Sequence, residues 1–194
     1  MLNIENQNKK LLRNEILLKK RNMSVANKMM ESNNICKNIA NISEFLNAQY
    51  ISVFAPSINE VYIWKLIEKC FINKKIVAFP KVISDGNMSF HSINKISDLD
   101  VGFNGILEPR TNSPIIDIRY FDFCIIPSVA IDLELNRMGL GGGYYDRFLS
   151  KLDNSVITCV PVFDCQIIDD VPVEEHDQKI KIIASSNFIF SKNT

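Results

Sequence analysis

An α/β fold in three layers (α/β/α, Rossmann-like, with a mainly parallel, mixed central sheet) is predicted by three observations. Segments with helical periodicity alternate with short apolar runs. Three of those runs, Ile51–Ala55, Ile76–Phe79 and Phe123–Ile126, give way at once to a proline: Pro56, Pro80 and Pro127. Four of the seven glycines crowd between Gly139 and Gly143. Strands buried on both faces of a parallel sheet read as continuous apolar runs, and such sheets bind ligands beyond the carboxyl ends of their strands. The prolines mark three such ends, and the sequence motifs begin there.

Residues 5 to 31 lack Gly and Pro, and Leu11, Leu12, Ile16 and Leu18 are spaced for one helical face. Ile35, Ile39, Ile42 and Leu46 repeat that spacing in a second helix, and Val61, Trp64 and Ile67 outline a third. Asn59 is placed to cap that third helix, with Glu60 in its first turn, where the dipole favours a carboxylate. Asp85-Gly86-Asn87 is a turn signal, and Met88–Ile93 reads as the returning strand of a hairpin. Further strands are predicted over 156–162, 180–184 and 188–190.

At 194 residues the chain is expected to form one domain, 1–194, with a substantial core. A formal net charge of 0 gives no electrostatic ground for nucleic acid or an anionic membrane as partner, and a monomer is expected. The five scattered cysteines contain no C-x-x-C pair and are expected to be reduced. The polar start does not read as a signal peptide, and no apolar run approaches the roughly 20 residues that span a bilayer. A cytoplasmic protein is expected.

The segment from Arg137 to Phe148, Arg-Met-Gly-Leu-Gly-Gly-Gly-Tyr-Tyr-Asp-Arg-Phe, carries the most information. Glycines let backbone N–H groups approach an anion, and a helix starting near Tyr144 would aim its unpaired N–H groups at the same point. Arg137 and Asp146 would complete a site for phosphate and a metal. A tight turn before a surface helix is the other reading. No Lys-Ser or Lys-Thr follows, so this is not a P-loop, and Tyr144 stands where a dinucleotide fingerprint needs its last glycine. Lys9 and Arg13 lie one helical turn apart and could grip a polyphosphate, or belong to a solvated face. Glu108, before Pro109, is held extended. Asp132 is placed to brace the glycine loop. Glu174, Glu175 and Asp177, beside His176, could supply an oxygen ligand to Mg2+, or form a solvated acidic loop. Neither zinc-ligand spacing nor a G-x-S-x-G elbow is present.

In this order, Lys9 to Arg13, Glu60, Ile106-Leu-Glu-Pro109, Ile125-Ile-Pro127, Arg137 to Asp146 and Val171 to Asp177 resemble the 5-formyltetrahydrofolate cyclo-ligase family over nearly the whole chain. The resemblance implies a ligase that forms a C–N bond, converting 5-formyltetrahydrofolate to 5,10-methenyltetrahydrofolate with MgATP and releasing ADP and phosphate. ATP would phosphorylate the formyl oxygen, N10 would attack the activated carbon, and phosphate would depart. It implies that Arg137 and Tyr144 act in catalysis. Lys9, Lys10, Arg13, Arg137, Gly139, Leu140, Gly141, Gly142, Gly143, Tyr144 and Tyr145 would hold ATP. Ala55, Glu60 and Leu140 to Tyr144 would meet the folate, with Glu60 on the pterin. Asp146 and Asp177 would hold Mg2+, directly or through water. The chain departs from the family pattern at Tyr62 and Ile63, at Leu140 and Gly142, and at Lys179-Ile-Lys181. A non-catalytic folate- or nucleotide-binding relative is the alternative.

Overall fold

A computed structural model describes residues 2–84, 86–174 and 177–192. Asp85 of the turn signal, and Glu175 and His176 of the acidic loop, lie outside the described residues. The helices are α1 (Leu2–Asn22), α2 (Val25–Ala40), α3 (Ser43–Asn47), α4 (Trp64–Ile72) and α5 (Tyr144–Leu149). The strands are β1 (Tyr50–Ser52), β2 (Ile76–Val82), β3 (Met88–Ile93), β4 (Leu99–Val101), β5 (Leu107–Pro109), β6 (Ile115–Ile116), β7 (Phe123–Ile125), β8 (Ala130–Ile131), β9 (Arg137–Met138), β10 (Ile157–Pro161), β11 (Ile182–Ala184) and β12 (Ile189–Ser191).

The central sheet has the order β12-β11-β10-β7-β1-β2-β3-β6. The strands from β11 to β2 are parallel, and β12, β3 and β6 join antiparallel at the edges. This is the mixed, mainly parallel α/β sheet that the apolar runs predict. Alternation through the pleat splits the core. Ile51, Val77, Phe79, Phe123 and Ile125 face α2, α3 and α4, while Ala78, Cys124 and Ile126 face the side that carries α5. On that second side Phe148 and Leu149 pack with Phe90, Phe121 and Ile131. The small pair β8–β9 packs with Ile16 of α1, and Val129, Ala130, Met138 and Val171 complete that cluster. Among the described residues no helix is long and apolar enough to cross a membrane, and all five cysteines are free thiols.

Four local expectations need correction. Leu11 and Leu18 are exposed, and the buried stripe of α1 runs through Ile16 and Lys20 instead. The second helical pattern is two helices, broken where Asn41 caps α2, so Phe45 is buried and Leu46 exposed. Asn59 caps no helix: α4 starts at Trp64, and the Asn59 side chain accepts from Lys28. Pro80 does not end its strand. β1 pairs with β2 only as far as Ala78, so the missing N–H of Pro80 falls where β2 has lost that neighbour, and pairing to β3 carries on to Val82.

Candidate functional site

The site forms beyond the carboxyl ends of β1 and β7, where the loops after Ser52 and Ile125 meet the glycine loop and one face of α1. Two adjoining chambers share Arg137, Gly139, Gly141, Gly143 and Asp146 as a common wall. The larger, about 550 Å³, is mostly apolar and includes Phe54, Ala55, Val129, Phe103 and Tyr144 in its lining, with Lys20, Arg21, Glu60 and Glu108 as charged groups besides the shared Arg137 and Asp146. The smaller, about 190 Å³, is polar, with Lys9, Arg13, Glu174 and Asp177 around the shared wall.

The loop takes its shape from left-handed backbone at Gly141 (φ +99°) and Gly143 (φ +67°). Gly143 stands just before α5, and Asp146 lies in the first turn of that helix. Two arginines hold the loop from outside. Arg13 Nε donates to the Gly139 carbonyl at 2.9 Å, and Arg147 donates to the Gly142 carbonyl at 2.7 Å and to Gly86 at 2.9 Å. The Arg147 guanidinium also lies over the Tyr144 ring.

Arg137 lies at the centre, 5% exposed. One Nη donates to the Pro127 carbonyl at 3.2 Å and the other to Asp146 Oδ1 at 2.5 Å. Its Nε is buried and meets no acceptor among the described residues. A buried donor without an acceptor costs about 1–3 kcal/mol, and the Arg137 side chain that carries it lines both chambers. Lys9 bonds Glu174 at 2.9 Å and Asp177 at 3.1 Å. Burial works against its ammonium, but these two carboxylates outweigh it and raise the pKa above the usual lysine value.

No cluster of three or more metal-binding side chains occurs among the described residues. Asp146 and Asp177 nevertheless line the same small chamber. That donor set fits Mg2+, which usually takes one or two carboxylates together with substrate phosphates.

Asp132, expected to brace the glycine loop, instead holds the turn between β8 and β9 and the segment at Val171. It is fully buried and accepts from the backbone N–H of Glu134, Asn136 and Val171 and from the Asn136 amide, all within 3.0 Å. Burial would raise its pKa, but these hydrogen bonds prevail and lower it. A depressed folded-state pKa contributes stability above the unfolded value of about 3.9 that is lost as pH falls through the folded value. Asp132→Asn is therefore expected to lower the Tm at neutral pH, with a gap to wild type that closes below about pH 4. Thermal melts across that range check it, and a gap that stays constant with pH would refute the charge argument.

The structure brings Lys9, Arg13, Arg137, Asp146 and Asp177 together around the smaller chamber, and Ala55, Glu60, Tyr144 and Tyr145 around the larger. Leu140 lines the larger chamber although it is 68% exposed. Lys10 is exposed and lines neither chamber. Tyr62 and Ile63 line neither either. The Glu60 carboxylate accepts from the Ser57 N–H at 2.7 Å. Sequence reasoning missed Leu17, Lys20 and Phe103; the first two continue the Lys9 and Arg13 face of α1, a spacing that could have revealed them.

The chain matches the 5-formyltetrahydrofolate cyclo-ligase family over residues 5–186. It is 26% identical over 175 residues to the 5-formyltetrahydrofolate cyclo-ligase of Haemophilus influenzae, covering 88% of this chain and 94% of that one. It is 29% identical over 147 residues to that of Escherichia coli, covering 74% and 81%. Its fold is similar to the solved structure of Aquifex aeolicus 5,10-methenyltetrahydrofolate synthetase, with a TM-score of 0.84 and 26% identity over 94% of this chain and 92% of that one.

Proposed function

The chain belongs to the 5-formyltetrahydrofolate cyclo-ligase family, and from that premise we propose that it closes 5-formyltetrahydrofolate to 5,10-methenyltetrahydrofolate, consuming MgATP and releasing ADP and phosphate. The observation that carries this reading is the pair of adjoining chambers, one apolar and one charged, with the buried Arg137 between them and one of its N–H donors unmatched. A flat heterocycle suits the larger chamber, and a polyphosphate the smaller.

The chemistry asks for positioning and charge neutralisation more than for a protein nucleophile. The formyl oxygen on N5 is a poor leaving group. Transfer of the γ-phosphoryl group onto it gives an iminium-like phosphate, N10 attacks the carbon, and phosphate departs with the former formyl oxygen. The N10 proton passes to water or to the leaving phosphate. Lys9, Arg13 and the amides of Gly139 to Tyr145 would hold the ATP phosphates, with exposed Lys10 adding charge at the rim. Arg137 is set between the chambers, where the transferring group must pass, and would stabilise its charge. Asp146 and Asp177 would hold Mg2+, which neutralises phosphate charge when bound. Ala55, Leu140 and Tyr144 would line the folate, and Glu60 would accept from the pterin. A monomeric, cytoplasmic enzyme acting on small molecules completes the reading.

An absorbance assay for methenyltetrahydrofolate, with and without MgATP, tests it. Product that needs MgATP and appears with stoichiometric ADP supports the ligase, and saturable folate binding without product would establish the non-catalytic relative instead. Arg13→Ala is expected to raise the apparent KM for ATP at least about fivefold and that for folate far less, since charge-assisted hydrogen bonds are worth about 1.5–3 kcal/mol. Equal effects on both would argue against a phosphate role.

A further inference from the structure

Lys20 is 3% exposed, yet it forms no hydrogen bond or ion pair with any described residue. It projects from α1 into the wall of the larger chamber, on the continuation of the Lys9 and Arg13 face. An isolated ammonium is expensive to bury, and native chains keep such groups paired. Burial lowers its pKa; of the groups around it Glu60 and Cys165 favour the charged form and Lys28 opposes it, and Arg21 and Glu108 line the same chamber. Lys28 is already bonded to Asn59 at 3.0 Å, and Glu60 to the Ser57 N–H at 2.7 Å. The Glu60 end of the chamber thus presents a carboxylate acceptor and, apart from it, an ammonium donor with its hydrogen bonds unmade.

A carboxylate acceptor and an ammonium donor lining one chamber suit a lactam edge, in which an N–H and a C=O are adjacent. The pterin ring carries one. We propose that Lys20 is a substrate-recognition residue that donates a hydrogen bond to the lactam carbonyl oxygen of the pterin, beside the N–H groups taken by Glu60. The proposal rests on the reading that the larger chamber holds the reduced folate. Lys20 touches neither the formyl carbon nor the phosphates in this arrangement, so its contribution is to binding and orientation.

Lys20→Met tests it in the full-length protein through three readouts. The KM for 5-formyltetrahydrofolate is expected to rise at least about tenfold while that for ATP changes less than about twofold, the mark of a lost contact to one substrate. Binding of two pterins, one with the ring oxygen and one with an amino group in its place, is compared by fluorescence titration. Wild type should favour the oxo compound by at least about tenfold, and the variant should lose that preference, because an ammonium cannot donate to an amino group that itself donates. The Tm should not fall, since the ammonium makes no hydrogen bond to a described residue and methionine suits the apolar wall. A fall in Tm, an unchanged folate KM or a preserved oxo preference would each overturn the assignment. Should Lys20→Met fail to fold, Lys20→Gln gives the same three readouts with a weaker donor. Wild-type protein that binds neither pterin strikes the functional reading itself; active wild type with an indifferent Lys20 strikes this assignment alone.

Discussion

Arg137→Gln is expected to lower turnover by about 10²–10³-fold, the loss that follows removal of one preorganised charge-stabilising donor from an active site. The guanidinium is 2% exposed at its side chain and is fixed from two directions, by the Pro127 carbonyl and by Asp146. Its remaining N–H, on Nε, is buried and unmatched among the described residues. Glutamine keeps a donor but loses the charge and the fork that reaches both partners. Single-turnover kinetics at saturating MgATP separate the chemical step from binding. A loss confined to the KM for ATP would limit Arg137 to phosphate binding and remove it from the transition state.

Asp146→Asn is expected to reduce turnover at least about tenfold, through two losses that share one atom group. The carboxylate is half of the partly buried pair with Arg137, and the side chain is only 19% exposed. Removing one partner of such a pair leaves the other charge uncompensated, which commonly costs about 3–5 kcal/mol when burial is complete. The same substitution removes one of the two carboxylates proposed for Mg2+. Near-wild-type rates with Mg2+ would contradict the metal assignment. Because Arg137 and Asp146 act as one unit, the double variant should be little worse than Arg137→Gln alone, and additive losses would show that they act independently.

The parts of the fold that could be read from the sequence are those where local chemistry and tertiary context agree. Ile51, Phe123 and their neighbours are apolar on both faces because the sheet buries both faces, so no alternation was needed to find them. The breaks were harder. Asn41 ends α2 without glycine or proline, so a helical pattern ran through it unmarked. Pro80 misled for the opposite reason, since a usual strand breaker is harmless where β2 no longer borders β1. The two-residue strands β8 and β9 are too short to show any period. In the site, the glycine loop was legible because two of its glycines, Gly141 and Gly143, take backbone angles that only glycine adopts readily. Lys20 was not. In a Lys-Lys-Arg run a buried cation looks like its exposed neighbours, and only the docking of α1 tells them apart. The gathering of Lys9 and Asp177, 168 residues apart, was legible only through the family resemblance, because no local rule spans that distance.

Helix α1 has a consequence beyond the contacts it makes. Ile16 anchors it to β8 and β9, while Arg13 and Lys9 fasten it to the glycine loop and to the acidic segment near the other end of the chain. It belongs to neither helical cluster that covers the α2 side of the sheet. The helix therefore forms one side of both chambers. A ligand held between α1 and the sheet adds contacts to that helix, and nucleotide or folate is expected to raise the Tm. Nucleotide or folate would then act at a distance from any chemistry, as the mortar that sets an outer wall.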